Sequence, residues 1–419
     1  MTHAPRGAAE RPLDALNFFL ADVRDGLGPY LAIYLLTVQK WDEASIGVVL
    51  AVGGVAGILA QTPAGALIDR TRAKRAAVVA AAVVVTLAAL AIPLLPSFGP
   101  IAVFQAMSGV AAAVFPPAVA AITLGIVGPG AFARRVGRNE AFNHAGNATA
   151  ALVAGTTAYF FGPIAVFWLM AFMAVASVAA TLSVPGGAID HDVARGLHGE
   201  EGTAPGERPS GFKVLLTCQP LLVFAACTTL FHFANAAMLP LVGQKLALVT
   251  PELGTTLMSV CIVAAQAVMV PVAWVAGAKA DAWGRKPIFA VALTVLAARG
   301  ALYTLSDAPS WLVGVQLLDG IGAGVFGALF PLVVADLTRG TGHFNVSQGA
   351  IATAQGLGAA LSNAVAGAIV VWAGYGAAFL FLAAVAAAGL ALFWTAMPET
   401  EPGRAAGALP GGGAAAAAR

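Results

Sequence analysis

Three ionisable residues stand close together in an apolar stretch near the N-terminus: Asp22, Arg24 and Asp25. Inside a bilayer, a charge costs at least about 2.5 kcal/mol on insertion scales, so such groups usually face a water-filled cavity or a partner. Asp22 and Asp25 share one face of a helix, whereas Arg24 projects elsewhere. We interpret one acid as a proton carrier and Arg24 as the group that modulates its charge. The alternative is a neutralised cluster that fixes the helix to its neighbours.

A polar stripe occurs in a later apolar segment, where Thr228, His232 and Asn235 follow one another at helical spacing. This spacing places the three side chains on one face of a helix. Because histidine titrates near neutrality, His232 is a candidate to share a proton with Asp25. The alternative is a hydrogen-bonded packing residue. No second His or Cys stands at ligand spacing in this segment, so no metal site is expected.

Polar residues recur at helical spacing in two further segments: Glu140, Asn143, His144 and Asn147 in one, and Gln348, Gln355 and Ser362 in the other. These groups either hydrogen-bond a polar solute or bind helices to each other, and the sequence favours neither interpretation. The residues expected to line a substrate cavity are Asn17, Gln105, Asn143, His144, Asn147, Gln316 and Gln355.

Arg299 and Asp319 lie at similar depths in two neighbouring apolar segments when both are counted from the same membrane surface. An ionisable residue at such a depth requires a partner. We predict an intramembrane ion pair between them, with a mainly structural role in bracing a peripheral helix.

The composition is that of a membrane protein. Of 419 residues, 59% are hydrophobic and 10% are charged, whereas soluble chains carry roughly 25% charged residues. Lys and Arg form small groups between apolar runs rather than a basic face, which excludes a nucleic-acid-binding protein. The three cysteines lie in apolar runs, and no G-x-S-x-G or phosphate-binding loop is present, so neither an enzyme nor a cofactor is expected.

Charge clusters and Pro/Gly turns divide the chain into twelve apolar segments, each near the length of about 20 residues that a bilayer-spanning helix needs. Their ranges are 14–38, 43–67, 76–96, 99–126, 138–161, 163–184, 214–242, 252–278, 287–306, 310–335, 345–372 and 375–396. The sequence therefore predicts an all-α polytopic membrane protein, with six-helix bundles over 14–184 and 214–396 and a linker over 185–213. Residues 1–13 would form a short N-terminal segment, and residues 397–419 a disordered tail.

Basic residues concentrate in alternate loops, for example around Arg70, Arg135 and Lys286. The opposite loops hold only Lys40 and Lys245. By the positive-inside rule, the basic loops, both termini and the linker are cytoplasmic. We therefore expect a multi-pass protein of a bacterial-type inner membrane. Its first segment is interpreted as a retained helix because it carries charges and lacks a small-residue cleavage site.

The two halves of the chain resemble each other at a nearly constant spacing. The matched pairs are Asp69 with Asp281 (281 − 69 = 212), Gln105 with Gln316 (316 − 105 = 211) and Pro29 with Pro240 (240 − 29 = 211). A duplicated six-helix unit is therefore expected, with a substrate site near the membrane midplane between the halves.

The loops after the second and eighth segments resemble G-x-x-x-D-R-x-G-R-[KR], the signature of the major facilitator superfamily. The first copy is matched by Gly65, Asp69, Arg70, Lys74 and Arg75, with Arg72 where Gly is usual. The second copy is matched by Gly277, Asp281, Gly284, Arg285 and Lys286, with Ala282 in place of the first basic residue. The tripeptide Pro398-Glu399-Thr400 resembles the helix-ending motif of that family, so the resemblance covers residues 14–400.

The resemblance implies the twelve-helix major facilitator fold and a latch role for the loop signatures. Asp69 would accept hydrogen bonds from a helix N-terminus of the other half, and Arg70 would pair with an acid. The alternative is that these charges only fix the topology. The chain departs from the drug-efflux branch, because Gln105 and Ser108 stand where that branch carries Arg and Gln in R-x-x-Q-G. The G-P-x-x-G-G antiporter motif is also missing from the fifth segment.

The sequence thus predicts a secondary active transporter that works by alternating access, and proton-coupled efflux of a small organic solute is the favoured interpretation. Proton-coupled uptake of a small polar metabolite would use the same residues. A receptor or assembly protein that transports nothing is a further alternative. The expected partners are the lipid bilayer, a small-molecule substrate and protons, and the expected oligomeric state is a monomer.

Overall fold

α-Helices make up most of the chain that the structure, a computed structural model, describes: residues 7–25, 27–195, 218–338 and 344–400. The first half comprises α1 (Gly7–Asp25), α2 (Leu27–Thr37), α3 (Glu43–Arg70), α4 (Lys74–Ala91), α5 (Phe98–Ala112), α6 (Phe115–Val127), α7 (Pro129–Phe161) and α8 (Ala165–Ser183). Two 3-10 turns, Gly186–Ala188 and Val193–Arg195, follow α8. The second half comprises α9 (Gln219–Ala236), α10 (Met238–Val249), α11 (Gly254–Trp283), α12 (Arg285–Leu302), α13 (Pro309–Leu337) and α14 (Phe344–Ala396).

Eight helical stretches among the described residues are long and apolar enough to cross a membrane. One of them, Ser347–Ala396, contains two of the expected segments, because Gly374 (φ 84°, ψ 168°) interrupts α14. The expected segments that begin at residues 14, 138 and 287 coincide with α1–α2, α7 and α12, which carry more charges. The chain is therefore helical at all twelve expected positions.

Three helices extend seven residues or more beyond their predicted bounds. α1 begins at Gly7, before residue 14. α7 begins at Pro129, where Gly128 (φ 74°) ends α6 and a proline fits the first helical turn. Arg134, Arg135 and Arg138 therefore lie on α7 and not in a loop. α10 continues to Val249, so Lys245 is also helical rather than a loop residue.

The internal repeat is visible in the helix boundaries. α2 and α10 begin 238 − 27 = 211 residues apart, and the starts of α3 and α11 (254 − 43), α4 and α12 (285 − 74) and α5 and α13 (309 − 98) give the same difference. The predicted pair of pseudo-symmetric six-helix bundles is thereby confirmed. The alignment also corrects one assignment: α4 starts after Ala73 and α12 after Gly284, so Ala73, and not Arg72, occupies the glycine position.

Matched prolines explain why the first and seventh segments are each broken in two. α1 ends at Asp25 and α9 ends at Ala236, each four residues before a proline, Pro29 or Pro240. Proline has no backbone N–H, so the carbonyl four residues earlier loses its helical hydrogen bond. At the second break, Ser362 Oγ accepts a hydrogen bond of 3.2 Å from the backbone N–H of Ala237.

The two halves pack closely at one end of the bundle. α2 packs against α10, α3 against α14 and α7 against α11. Gly47 lies so close to the second half that a Cβ atom built on it would stand 2.2 Å from the backbone oxygen of Asn363. Small residues permit such approaches of helix to helix within a membrane.

Three hydrogen bonds join the halves at this closed end. Tyr30 Oη and Ser259 Oγ are 2.8 Å apart. Thr256 donates to the carbonyl of Gly155 at 2.9 Å. Tyr375 donates to Glu43 Oε1 at 2.8 Å. The side chains that make these bonds come from helix ends distant in sequence from the loop signatures.

The other end of the bundle, here called the basic end, carries Arg70, Arg75 and Arg285. α1 and α9 form the basic-end parts of the first and seventh segments, and both make their main contacts within their own half. Among the described residues, the close contacts between the halves therefore concentrate at the end opposite the basic end.

Candidate transport cavity

A cavity of about 410 Å³ lies between the halves, at the depth where the first and seventh segments are broken. Pro29 and Pro240, the matched prolines, line it from the two halves. Its polar lining comprises Arg24, Gln105, Ser108 and Asn363, whereas most of its wall is apolar, including Leu27, Leu31, Leu50, Met170 and Leu239. A few polar groups on an apolar wall are typical of small-molecule sites.

A second, smaller cavity of about 130 Å³ lies within the first half and shares Arg24 with the central one. Asn17, Asn139, Glu140 and Asn143 supply its polar lining. Asn143 Nδ2 is 3.5 Å from Glu140 Oε2, at the limit of a hydrogen bond. Arg24 thus lies between a polar pocket and the central cavity, and its place beside a solute path stays a prediction.

The structure describes the side chain of only one of the two acids predicted in the first segment. Asp22 is buried, with 6% of its surface exposed. Asp22 and Arg24 each take part in a polar or electrostatic contact. The side chain of Asp25 lies outside the described residues, so its closeness to Asp22 and to His232 stays a prediction.

The polar stripe of the seventh segment differs from a row of free polar groups. The Thr228 hydroxyl donates to the carbonyl of Ala225 on its own helix at 3.1 Å. The ring of His232 packs edge-on against Phe326, with centroids 4.8 Å apart. His232 Nε2 is buried and has no hydrogen-bond partner among the described residues. His232 and Asn235 are both partly exposed, and their role in proton coupling stays a prediction.

The polar side chains predicted for the cavity in the fifth and eleventh segments differ in how deeply they are buried. His144 and Asn147 are partly exposed on α7. Gln355 is buried on α14, where its Nε2 lacks a hydrogen-bond partner among the described residues. These three residues stay candidate cavity residues, whereas Gln105 does line the central cavity.

Gln316 is a correction to the predicted cavity. It is fully buried between α12 and α13, accepts a hydrogen bond from the Tyr303 hydroxyl, and donates to Asp319 Oδ2 at 3.0 Å. The repeat placed Gln316 opposite Gln105, but the two halves use the matched glutamines differently. Helical periodicity gives the face on which a residue lies and not the neighbour that this face meets.

Arg299 and Asp319 form the ion pair that their equal depth predicted. Arg299 is 1% exposed and Asp319 also receives the bond from Gln316, so the pair is part of a buried network. Tyr303 extends the network, because its carbonyl accepts from Lys245 Nζ at 3.4 Å. Lys245 pairs in turn with the exposed Asp307 at 2.5 Å. The structural role of the Arg299 pair stays a prediction.

The first loop signature makes its described contacts within the first half. Lys74 is fully buried and donates to the carbonyls of Ile68 at 2.6 Å and Thr71 at 3.1 Å, at the C-terminus of α3. Arg75 donates to the carbonyl of Val184 at 2.6 Å, just beyond α8. Cations stabilise helix C-termini in this way.

Asp69 and Arg70 are exposed. The eleventh segment, the candidate partner of Asp69, begins with α14 at Phe344, and its side chains before Ser347 lie outside the described residues. The contact between Asp69 and that helix therefore stays a prediction.

The second signature forms a charge cluster with the helix-ending tripeptide. Arg285 binds Asp281 at 2.6 Å and Asp336 at 3.1 Å. Glu399 accepts from the backbone N–H groups of Arg285 at 2.9 Å and Lys286 at 3.2 Å, so its carboxylate caps the N-terminus of α12. These contacts join α11, α12, α13 and the end of α14 within the second half.

A carboxylate clamp that no sequence motif predicted lies in the first half. Asp14 Oδ1 accepts from Arg135 Nη2 at 2.7 Å, and Asp14 Oδ2 accepts from Arg138 Nη2 at 2.6 Å. Arg135 also donates to Asn139 Oδ1 at 3.0 Å, and Asn139 donates to Thr123. The available signal was the basic run at the start of the fifth segment, which we had assigned to a loop.

Comparison with known proteins identifies the family. The sequence profile described as Major Facilitator Superfamily matches residues 14–298 and 273–415. Two curated proteins from two strains of Mycobacterium tuberculosis, each named as an uncharacterised MFS-type transporter, are 66% identical over 393 residues, covering 93% of this chain and 93% of each relative.

Solved structures show the same fold. A mutant of the nucleoside transporter NupG aligns over 93% of this chain and 100% of that chain, with a TM-score of 0.78 and 14% identity. A D-xylose-proton symporter aligns over 94% of this chain and 98% of that chain, with a TM-score of 0.68 and 14% identity. The profile match and the curated relatives show that the chain is a membrane transporter, not an enzyme, and that it belongs to the major facilitator superfamily.

Proposed function

We propose that this transporter carries a small organic solute through the central cavity by alternating access, coupled to protons, with efflux as the favoured direction. The observation that carries the proposal is a cavity of about 410 Å³ between two pseudo-symmetric halves whose described contacts concentrate at one end. A rocking motion of one half against the other would expose such a cavity to each side in turn. The basic end is the cytoplasmic one in this proposal, by the positive-inside rule.

The cavity lining limits the class of solute. Arg24 is the charged residue of its described lining, and Gln105, Ser108 and Asn363 offer neutral hydrogen-bonding groups. These groups can hydrogen-bond an uncharged or anionic solute.

Proton coupling is assigned to the first segment. Asp22 is buried two residues from Arg24, and Arg24 lines both the central cavity and the smaller cavity of the first half. Protonation of a carboxylate near Arg24 would change the charge that the solute meets. This change would couple proton binding directly to solute binding. Asp25 and His232 are the further candidates for the same proton.

Uptake by proton symport is the second candidate. The polar side chains Gln105, Ser108 and Asn363 favour it, since they can hydrogen-bond a polar metabolite. Solute transport in vesicles with an imposed pH gradient distinguishes efflux from uptake. Efflux by antiport requires the proton gradient to drive solute out of the compartment that corresponds to the cytoplasm.

A thermal-shift screen of candidate solutes at two pH values, followed by transport in vesicles, tests the proposal. Asp22→Asn and Asp25→Asn should each be compared with the parent, and we expect at least one to bind solute while losing proton-driven accumulation. The coupling proposal is wrong if solute binding and proton release both survive the two substitutions. The cavity assignment is wrong if Gln105→Ala and Asn363→Ala leave solute affinity unchanged.

A further inference from the structure

A pocket of about 500 Å³ opens at the basic end between α4 and α8. None of its lining residues lines the central cavity. α4 contributes Val79 and Ala80 to this pocket and Val85 and Ala89 to the central cavity, so the two sites lie on different faces of the same helix. The pocket is therefore separate from the central cavity.

Basic side chains surround the mouth of the pocket. Arg72 is exposed, Arg75 is half-buried, and His191 also lines the pocket. Arg75 is held in place, because its Nη1 donates to the Val184 carbonyl at 2.6 Å and its guanidinium lies against Gly186, where a Cβ atom would stand 2.6 Å from Nη2. A fixed guanidinium beside an exposed one suits a phosphate group.

Two acids, Asp190 and Asp192, stand close to the pocket residues in sequence. Asp190 Oδ1 accepts the backbone N–H groups of Asp192 and Val193 at 2.9 and 3.1 Å, so this carboxylate closes the second 3-10 turn. Neither Asp190 nor Asp192 lines the pocket. The pocket mouth is therefore positively charged.

Exposed apolar rows continue from the pocket along both helices. On α4, Ala76 and Ala80 are followed at helical spacing by Val83 and Leu87, which are 45% and 62% exposed. On α8, the row consists of Leu182, Val175, Phe172 and Trp168, each more than half exposed at 58, 70, 65 and 66%. In a membrane protein such faces meet acyl chains. A basic mouth at the end of lipid-facing apolar rows has the chemistry of a phospholipid site.

We propose that the pocket binds an anionic phospholipid of the surrounding leaflet, with its phosphate at Arg72 and Arg75 and an acyl chain along Val79, Ala80 and Leu182. Basic pockets between transmembrane helices are known sites for anionic head groups, and each Lys or Arg near the surface adds an attraction that corresponds to about fivefold in affinity. The bound lipid would tie α4 to α8 at the point where Arg75 already joins them.

The test measures lipid retention by native mass spectrometry of the full chain in detergent. The probes are phosphatidylglycerol and phosphatidylcholine with identical acyl chains, together with inorganic phosphate alone. We expect selective retention of phosphatidylglycerol, a loss of about fivefold in Arg72→Ala, and no change in Arg134→Ala, an exposed arginine on α7 outside the pocket. Ala80→Trp should fill the apolar part and lower the retention of both lipids.

Three outcomes would overturn the proposal. Equal retention of the two lipids would remove the role of the head-group charge. Equal phosphatidylglycerol retention in Arg72→Ala and the parent would remove the assigned contact. Inorganic phosphate that competes fully with the lipid, together with unchanged retention in Ala80→Trp, would indicate a free-anion site and not a lipid site.

Discussion

Replacement of Gly47 by alanine should shift the protein away from the orientation seen here. A Cβ atom on Gly47 would stand 2.2 Å from the backbone oxygen of Asn363 and 2.9 Å from its carbonyl carbon, whereas ordinary contacts begin at 3.4 Å. The helices would have to separate by roughly 3.4 − 2.2 = 1.2 Å, because backbone atoms cannot rotate away. Overpacking of this kind costs about 1–3 kcal/mol. If the cost falls only on the closed arrangement, the equilibrium between orientations shifts by about 5–150-fold.

The assay is the rate at which a membrane-impermeant maleimide alkylates Ser259→Cys, introduced after the native cysteines are replaced. Ser259 is 3% exposed and lies at the closed end, so it reacts only when that end opens. Gly47→Ala should raise this rate at least fivefold. An unchanged rate would refute the argument that the Gly47 contact holds the closed end together.

Gly109→Ala is the matched control for this experiment. A Cβ atom there would stand 2.1 Å from the backbone oxygen of Gly53, which lies in the same half. The steric cost is therefore similar, but it falls on both orientations equally. We expect lower thermal stability of Gly109→Ala and no selective increase in the alkylation rate.

Two further predictions concern stability. Asp319→Asn should destabilise the protein by about 3–5 kcal/mol in a detergent unfolding titration, because Arg299 would be left buried without its counter-ion. Asp307→Asn removes the exposed partner of Lys245 and should lower the free energy of unfolding by less than about 1 kcal/mol. Equal losses of stability in Asp307→Asn and Asp319→Asn would contradict the argument. Asp42 caps α3 by accepting the backbone N–H of Ser45 at 2.8 Å, which lowers the pKa of Asp42 from 3.8. The charged form of Asp42 therefore stabilises the fold at pH values above its ordinary pKa. At neutral pH, Asp42→Ala should lower the free energy of unfolding by about 1 kcal/mol, and this difference from the parent should vanish as the pH falls through the lowered pKa. A difference in stability that does not depend on pH would contradict this.

The helix positions and the repeat could be predicted because they depend on local properties of the chain. Apolar length gives a spanning helix, and Pro29 and Pro240 show where the backbone hydrogen bonds of two helices must fail. The Arg299 pair could be predicted as well, because depth alone leaves a buried arginine few partners.

The remaining site geometry depends on which helices meet, and a single sequence does not encode that in any local pattern. Gln316 and Gln105 occupy matched positions, but only Gln105 meets the cavity. The clamp on Asp14 required α7 to begin at Pro129, and a positive φ at Gly128 decides that start. The orientation of the two halves could not be predicted from the sequence either, because a carrier sequence must stabilise two packings that differ by a few kcal/mol.

A pair of distance measurements tests the central claim that the closed end opens while the basic end closes. Spin labels on Lys40 and Glu252 would span the halves at the closed end, and labels on Arg70 and Lys279 would span them at the basic end; all four side chains are exposed. In lipid nanodiscs at varied pH and with solutes from the screen, alternating access predicts two populations at each end. The short distance at one end should accompany the long distance at the other. A single short distance at the closed end under every condition would contradict the account.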